Sequence, residues 1–450
     1  MRNFTRKKQY KARTPEETVG IVRRILGDCG ITVEEEERVY DKPGVASCRV
    51  WLSGGDISFG DFGTNGKGMT REYSLASAYG ELMERLQNQI LFGDYAEDAF
   101  RKNMTRYMTA PDEVLQGGDD CSKETLDVLS VLMRVPAEEL ARAGKDTAEM
   151  AFVPYYDVFR EKQVFLPHKT LRMVTGSNGM AAGNNYMEAV TQGLSEIYER
   201  AAVMEAYRDN PEIKMLHPES FVGNDIYDRL EGLKKYGYAY KILDLSMNKG
   251  YPVVGLLLEK DGLKAFRAGA DPCPVTALER CLTELFQGDE YSVNSFFKAG
   301  CCKPFGEGLT EQEKFSVNDQ EIAYHIDGSG MAADCIFNPS GKFSEEFPGT
   351  DGDSEEADYD YMINLTRGLG LNLYIRDWSF LGFPTYHIIV PELSNYDLIY
   401  EEGIDIFRWS FEETRFKTDH FTQPCADVLN RMFDRYEKNN QPQDGRIIRR

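Results

Sequence analysis

Acidic side chains recur at one spacing in three separate segments of the chain. Each segment has a polar residue, then a Glu four positions later, then a Glu or Gln three positions after that. At about 100° per residue these positions fall within a ~60° arc of a helix. Glu188 lies four residues before the second trio and shares its stripe. The trios are Ser77, Glu81 and Glu84; Gln192, Glu196 and Glu199; and Arg280, Glu284 and Gln287.

The other faces of these three helices are apolar, which predicts that the helices are buried. Amphipathic surface helices with solvated Glu side chains are the alternative interpretation for any one of them. Unpaired buried charge costs several kcal/mol, so buried carboxylates require partners. Arg85, Arg200, Arg280 and Lys67 supply four cations for six carboxylates. Oxygen-only ligands favour Mg²⁺, which in proteins often accompanies phosphates.

Glycine-rich segments precede the helices, at 64–68, 177–184 and 268–272. Interpreted as loops, they would let backbone N–H groups approach an oxyanion at a helix N-terminus. Together with the carboxylates and cations they indicate a nucleotide site. The common nucleotide motifs do not fit, because Gly68 follows Lys67 where a P-loop needs Ser or Thr, and there is no GxGxxG after a strand. Kinase signature motifs are also missing.

Strand-like and helix-like segments alternate along the chain, which predicts mixed α/β layers. The predicted strands are 46–53, 153–159, 163–167, 238–244, 252–259, 371–379 and 385–390, and the predicted longer helices are 75–92, 187–207, 275–287 and 358–367. Thr14-Pro15-Glu16-Glu17 predicts a capped helix start. The acidic, Gly-rich stretch 341–357 is interpreted as an exposed loop. We expect a basic arm and helix at 1–45, a core at 46–395, and a helical segment with a polar tail at 396–450.

Composition excludes several classes of protein. Of 450 residues, 42% are hydrophobic, and the formal net charge is −22, which argues against a nucleic-acid binder held by charge. No apolar stretch approaches the roughly 20 residues of a spanning helix, and no apolar region follows the basic N-terminus as in a secretory signal. Nine scattered cysteines without a CxxC pair fit reduced thiols and a cytoplasmic location.

The three segments resemble the ATP-binding motifs of the YcaO family. Gly-Lys-Gly at 66–68 leads to Ser77-x3-Glu81-x2-Glu84-Arg85, and SNGxxAGN at 177–184 leads to the second Glu helix. ALERxxTExxQ at 277–287 supplies the third. The resemblance runs from about residue 46 to 391. It implies a fold of mixed β-sheets packed with helices around a central acidic pocket for ATP and magnesium, usually in a homodimer.

The resemblance also implies roles for individual residues. Magnesium ligands would be Glu81, Glu84, Glu188, Glu196, Glu199 and Glu284. Nucleotide contacts would come from Lys67, Ser77, Glu81, Glu84, Asn184, Arg200 and Arg280. Arg200, Arg280 and Gln287 would be catalytic, with Gln287 lining the pocket. One departure is Ala181, where related members are expected to have Ser.

Many members of the family activate a peptide backbone amide with ATP. A Cys, Ser or Thr side chain as nucleophile then gives an azoline, and sulfide gives a thioamide. This chain lacks the Pro-rich PxPxP ending of azoline-forming members, and no fused leader-binding domain is expected before the core. It therefore resembles the standalone bacterial branch, which assists methylthiolation of a ribosomal small-subunit protein. The expected partners are a peptide or protein substrate and a sulfur-transfer or methylthiotransferase protein, with no nucleic acid and no membrane.

Two further residues have weaker claims to a role. His168 lies on the approach to the second Gly-rich segment, and Cys273 lies just before the third helix. A structural role is favoured for both, because no His base accompanies Cys273 and the five histidines are far apart in the sequence.

Overall fold

A computed structural model describes residues 2–5, 11–40, 44–53, 63–89, 110–287, 333–395, 403–411 and 422–440. Its helices are α1 (Pro15–Asp28), α2 (Arg71–Gln87), α3 (Lys123–Met133), α4 (Ala137–Ala143), α5 (His168–Thr175), α6 (Tyr186–Asp209), α7 (Asp225–Lys234), α8 (Pro274–Leu285), α9 (Asp334–Phe337), α10 (Glu355–Gly368), α11 (Pro391–Ser394), α12 (Gly403–Phe411) and α13 (Thr422–Asn440). Its strands are β1 (Thr32–Tyr40), β2 (Val45–Ser53), β3 (Gly63–Gly68), β4 (Val114–Gln116), β5 (Met150–Asp157), β6 (Lys162–Pro167), β7 (Met180–Ala182), β8 (Lys214–Leu216), β9 (Ala239–Asp244), β10 (Val253–Lys260), β11 (Leu263–Ala270), β12 (Tyr374–Asp377) and β13 (Thr385–Ile389).

Within the described residues, the strands form three antiparallel sheets. The first has the order β1-β2-β3, and the second β11-β10-β9-β8. The third has the order β4-β5-β12-β13-β7, with β6 also paired to β5. The predicted mixed α/β class is confirmed, and all pairings between the named strands are antiparallel.

Helix α6 is largely buried. Leu194, Ile197 and Tyr198 on it are fully buried, in a core shared with β10, β11 and α10. Such burial on several sides explains why α6 is weakly amphipathic, and it confirms the prediction that this Glu-bearing helix is not a surface helix.

The start of the chain folds as its capping signal predicts. Thr14 accepts a hydrogen bond from the backbone N–H of Glu17, whose side chain accepts one from Thr14 in return. β1 pairs with β2 over residues 32–40 and 45–53, so the expected division at residue 45 falls within a hairpin. The expected divisions of the chain stay predictions.

Two other sequence predictions have definite structural outcomes. Stretch 341–357 is not wholly exposed, because Phe347 is buried and α10 begins at Glu355. The expected polar tail is helical as far as Asn440, and 441–450 lie outside the described residues. No helix in the described ranges combines the length and apolar character needed to cross a membrane.

Candidate functional site

Three strand–helix units correspond to the three repeated sequence segments. They are β3–α2, β7–α6 and β11–α8. β3, β7 and β11 each end the strand order of a different sheet. Each sheet therefore contributes its edge strand and the Glu-bearing helix that follows it, and the sequence repeat is a structural repeat.

Glycines in these units let each helix approach backbone closely. A Cβ added at Gly66 would lie 2.0 Å from the carbonyl oxygen of Ser74 on α2. A Cβ at Gly183 would lie 2.8 Å from the amide nitrogen of Ala189 on α6, and one at Gly269 would lie 2.4 Å from the carbonyl oxygen of Ala277 on α8. All three distances are too short for a real Cβ, so these positions require glycine.

The prediction of Gly-rich loops is wrong for most of these segments. Residues 63–68 and 263–270 are strands, and 180–182 form a short third one. The local composition resembles that of an anion-binding loop, but in the first and third segments the glycines allow tight helix-on-strand packing.

One cavity of about 1260 Å³ lies where the three units meet. All twelve residues predicted for the site line it, although they come from segments that are far apart in the sequence. They are Lys67, Ser77, Glu81, Glu84, Asn184, Glu188, Glu196, Glu199, Arg200, Arg280, Glu284 and Gln287. The cavity is therefore built from all three units.

The first unit places two carboxylates against one guanidinium. Arg85 Nη2 lies 3.5 Å from Glu81 Oε1, and Arg85 Nε lies 3.5 Å from Glu84 Oε1. Burial raises the pKa of Glu81, although Arg85 and Lys67 oppose the rise. Burial raises the pKa of Glu84 further, and the negative charges of Glu196 and Glu81 add to the effect. A single Arg thus leaves this pair of carboxylates under-neutralised.

The second unit repeats this arrangement on α6. Arg200 Nη2 lies 3.0 Å from Glu196 Oε1. Glu199 Oε2 accepts a hydrogen bond of 3.0 Å from the backbone N–H of Ala270 at the end of β11. Burial raises the pKa of Glu199 to about 7, against the opposing charges of Lys67 and Arg200. Glu199 therefore links the second unit to the third.

In the third unit, Arg280 is held by a backbone carbonyl group and by Asp271, an acid that was not predicted from the sequence. Arg280 Nη1 donates to the carbonyl oxygen of Ala270 at 2.9 Å, and Nη2 donates to Asp271 Oδ2 at 2.8 Å. Glu284 forms an ion pair with Lys67 on β3.

Gln287 links the third unit to the first. Its side-chain amide donates to the carbonyl oxygen of Asn65 on β3. Together with the Lys67–Glu284 ion pair, this bond ties the end of α8 to the edge of the first sheet.

Glu188 is set apart from the other five glutamates by the N-terminal arm. Lys11 Nζ lies 2.8 Å from Glu188 Oε1, and the backbone N–H of Ala12 donates to Oε2 at 3.3 Å. Asn184, itself bonded to Thr18, donates to the same carboxylate. Burial would raise the pKa of Glu188, but Lys11 and these donors outweigh it and lower the pKa.

The predicted magnesium ligands share a cavity without forming a finished coordination site. In the described part of the chain, no three His, Cys, Asp or Glu groups are arranged to hold one metal ion. Glu81 and Glu84 turn to Arg85, and Glu196 turns to Arg200.

The donor set nevertheless fits Mg²⁺ in its chemistry. All six candidates are carboxylates, and burial raises the pKa of three of them, Glu81, Glu84 and Glu199. A hard divalent cation would relieve that cost.

Some charged residues of the cavity wall were not predicted from sequence. Among them are Lys11, Arg13, Asp271, Glu355 and Asp358. The signal for the last two was Ser354-Glu355-x-x-Asp358, a helix start with acids in its first turn, at the end of a stretch interpreted as a loop. Asp271 lies in a Gly-rich segment and the two basic residues lie in the N-terminal arm, where no repeat marks them.

His168 and Cys273 do not line the cavity. Burial lowers the pKa of His168 well below its ordinary value, and the ring packs 5.2 Å from that of Trp378. Cys273 is fully buried at the N-cap of α8. The structural interpretation favoured for both fits these positions.

Comparisons with known proteins are consistent with this geometry. A family model described as YcaO cyclodehydratase, ATP- and Mg²⁺-binding, matches residues 65–394. A ribosomal-protein methylthiotransferase accessory factor of Escherichia coli is 26% identical over 84% of this chain and 65% of its own length. An uncharacterised protein of Haemophilus influenzae is 26% identical over 86% of this chain and 66% of its own. The chain thus spans just under two thirds of each of these curated relatives.

Two solved structures resemble the fold. A heterocyclase in complex with substrate and cofactor has a TM-score of 0.58 and 17% identity, over 87% of this chain and 54% of its own. A protein of Methanopyrus kandleri bound with AMPPCP and Mg²⁺ has a TM-score of 0.52 and 18% identity, over 86% of this chain and 93% of its own. At these identities the likeness concerns the fold.

Proposed function

Because the chain belongs to the YcaO family, whose cofactors are ATP and Mg²⁺, we propose that it uses Mg·ATP to activate a backbone amide of a peptide or protein. The outcome would be cyclodehydration by a side-chain nucleophile or thioamidation by sulfide. The observation that carries this proposal is the convergence of all twelve predicted site residues on one cavity.

The charges in the cavity support a division of labour among its residues. Glu81 and Glu84 on α2 and Glu196 and Glu199 on α6 line the cavity and would hold the metal, with Glu188 and Glu284 completing the acidic set. Lys67, Arg200 and Arg280 would neutralise phosphate charge, and Ser77 and Asn184 would contact the nucleotide. Catalysis would come from positioning and charge neutralisation, as is general for phosphoryl transfer.

Bound ATP would supply a phosphoryl group to the amide oxygen, which makes that oxygen a leaving group. Arg200 and Arg280 would stabilise the charge that develops there, since both guanidiniums line the cavity and each is already held by an acid. Gln287, fixed to Asn65, would orient the bound groups at the same wall.

The size of the cavity supports a second occupant beside a nucleotide. Sites for single small ligands measure roughly 300–1,000 Å³, whereas this cavity measures about 1260 Å³. The excess volume would admit a segment of an acceptor peptide.

A second candidate is an ATP-binding accessory factor for methylthiolation of a ribosomal small-subunit protein. The likeness to the Escherichia coli accessory factor favours it. In that case the protein would bind Mg·ATP and act on a methylthiotransferase partner, with slow hydrolysis of its own.

ADP release measured with and without acceptor peptides distinguishes the two candidates. Release that rises with a peptide, together with loss of water or exchange of oxygen for sulfur in its mass spectrum, would support the enzyme. Peptide-independent release with co-purification of a methylthiotransferase would support the accessory role. Absence of Mg·ATP binding would contradict both. A homodimeric state and a cytoplasmic location belong to this proposal.

A further inference from the structure

A second group of acids, distinct from the glutamates of the three units, also lines the cavity. Asp271 precedes α8, and Glu355 and Asp358 lie in the first turn of α10. Asp271 is paired with Arg280, and Glu355 accepts a hydrogen bond of 2.7 Å from the side-chain amide of Asn185. Asp358 is the member of this group whose carboxyl is bonded to a hydroxyl.

Asp358 is fixed in place by the segment before its own helix. It is 2% exposed, and its Oδ1 accepts a hydrogen bond of 2.5 Å from the hydroxyl of Thr350. The backbone N–H of Thr350 in turn donates to the carbonyl oxygen of Pro272 at 2.7 Å. The carboxyl is therefore held rigidly between the start of α8 and the start of α10.

Burial and the neighbouring charges bring the pKa of Asp358 close to neutral pH. Burial raises its pKa, the Thr350 hydrogen bond lowers it, the charge of Asp271 raises it, Arg280 lowers it and Glu355 raises it, to a net value of about 7. A group that titrates near the operating pH is suited to give and take protons.

Most other ionisable groups on the described cavity wall are less suited to accept a proton. The lining residues that the structure describes include no His or Cys. Glu81, Glu84 and Glu196 pair with Arg side chains, Glu188 pairs with Lys11, and all four belong to the proposed metal-binding set. A carboxylate that pairs with a cation or holds a metal ion is not free to accept a proton from an attacking group.

Glu199 has a raised pKa like that of Asp358, but it has a different proposed role. Its pKa is also about 7, yet its carboxylate accepts the N–H of Ala270 and belongs to the proposed metal-binding set. A carboxylate that holds a cation is not available as a base, which leaves Asp358.

Arg280 links Asp358 to Glu199 and so to the proposed nucleotide site. It is bound to the carbonyl of Ala270, whose N–H holds Glu199. Its charge also acts on both Asp358 and Glu199. Asp358 thus lies in the same electrostatic network as the proposed nucleotide site.

We propose that Asp358 accepts the proton of the group that attacks the amide, an inference that rests on the proposed function. As the S–C or O–C bond forms, the attacking group gives its proton to Asp358, and the electron pair of the C=N bond of the phosphorylated amide moves onto the nitrogen, so that a single C–O bond still holds the phosphate. When that C–O bond breaks, Asp358 returns the proton to the departing phosphate. For a side-chain nucleophile, the nitrogen electron pair expels the phosphate, the amide N–H proton passes to solvent and a C=N bond remains. For hydrosulfide, the electron pair of the added sulfur expels the phosphate and a C=S bond remains.

Carbon-13 NMR of the full chain labelled at Asp Cγ tests the position and the titration of this carboxyl. The resonance that disappears in Asp358→Asn is expected to titrate near pH 7 and to shift when Mg·ATP is added. Asp360, exposed on the same helix, provides the matched control through Asp360→Asn, and its resonance is expected not to respond to Mg·ATP. A resonance of Asp358 that titrates below pH 5, or that ignores Mg·ATP, overturns the proposal.

ADP release with Mg·ATP and the acceptor peptides of the proposed function, measured from pH 5.5 to 8.5, tests the role in the reaction. Loss of a general base typically costs 10²–10⁴-fold. We expect Asp358→Asn to lose the acidic limb of the profile and about 10²-fold in rate, Asp358→Glu to retain the limb, and Asp360→Asn to match the wild type. An unchanged rate and limb in Asp358→Asn overturn the proposal. If no peptide raises ADP release, the NMR titration decides.

The proposed function fails in a different way from this inference. Calorimetry with Mg·ATP then shows no binding to the wild type or to any variant. If only the inference is wrong, the wild type, Asp358→Asn, Asp358→Glu and Asp360→Asn all bind Mg·ATP alike. The Asp358 carboxyl then titrates below pH 5 or does not respond to Mg·ATP.

Discussion

Lys11 Nζ lies 2.8 Å from Oε1 of Glu188, across 177 residues of sequence. The Lys side chain is 38% exposed and the Glu side chain 7%, so the basic arm contributes a cation to a mostly buried carboxylate. The arm lines the cavity with Lys11, Arg13 and Pro15. It is therefore part of the wall of the candidate site, in addition to being a charged terminus.

Replacing Lys11 is expected to weaken nucleotide binding. Lys11→Met removes a positive charge from a strongly acidic cavity, which increases the repulsion of phosphates. We expect the Kd of Mg·ATP to rise about tenfold, equivalent to about 1.4 kcal/mol, in isothermal calorimetry. Lys145→Met, at an exposed position off the cavity, should leave the Kd unchanged. Equal Kd values for both variants and the wild type would show that the arm does not act on the nucleotide.

Gly66 is expected to be intolerant of a side chain. The Cβ of Gly66→Ala would lie 2.0 Å from the carbonyl oxygen of Ser74 and 2.6 Å from the amide nitrogen of Ala78. Because backbone atoms cannot move aside cheaply, we expect a loss of at least about 3 kcal/mol in the free energy of unfolding by urea.

Gly20→Ala is the matched control for this substitution. Gly20 lies within α1, and no atom beyond the backbone of its own helix turn lies within 4 Å of the position that an alanine Cβ would take. The change should stabilise the protein by about 0.5–1 kcal/mol. A neutral Gly66→Ala would mean that α2 does not pack on β3 as described.

Ionisation of Asp358 is expected to lower the free energy of unfolding as pH rises. Its pKa is about 7 in the folded chain, against an ordinary value of 3.8. A raised carboxyl pKa means that the penalty is absent below about pH 4, grows towards pH 7 and is complete above it. At pH 8, Asp358→Asn should therefore raise the free energy of unfolding by urea by about 2–4 kcal/mol. The increase should be smaller at pH 5. A gain that does not depend on pH would contradict this explanation.

Much of the candidate site was predictable because its residues repeat. Glu81 and Glu84 on one helix, and Glu196 and Glu199 on another, are each three residues apart. This spacing places each pair on one face of its helix whatever the tertiary structure is. A buried helix with such a stripe must present it to partners. The structure places both stripes on one cavity wall, as the sequence predicts.

The parts that sequence did not predict depend on contacts between distant segments. The N–H of Ala270 reaches Glu199 across 71 residues, and Lys11 reaches Glu188 across 177. Nothing in local periodicity specifies such pairs. Glycine was also ambiguous, since the same residues that free an anion-binding loop permit the close helix-on-strand contact made at Gly66.

Mg·ATP binding to Glu81→Gln and Glu199→Gln, measured by calorimetry, tests the central claim that separate units build one site. Each change removes one charge from a different helix while keeping its shape. We predict that each raises the Kd at least about 100-fold, or about 2.7 kcal/mol, whereas Glu356→Gln, exposed on α10, does not change it. Wild-type affinity in both Glu81→Gln and Glu199→Gln would contradict the account.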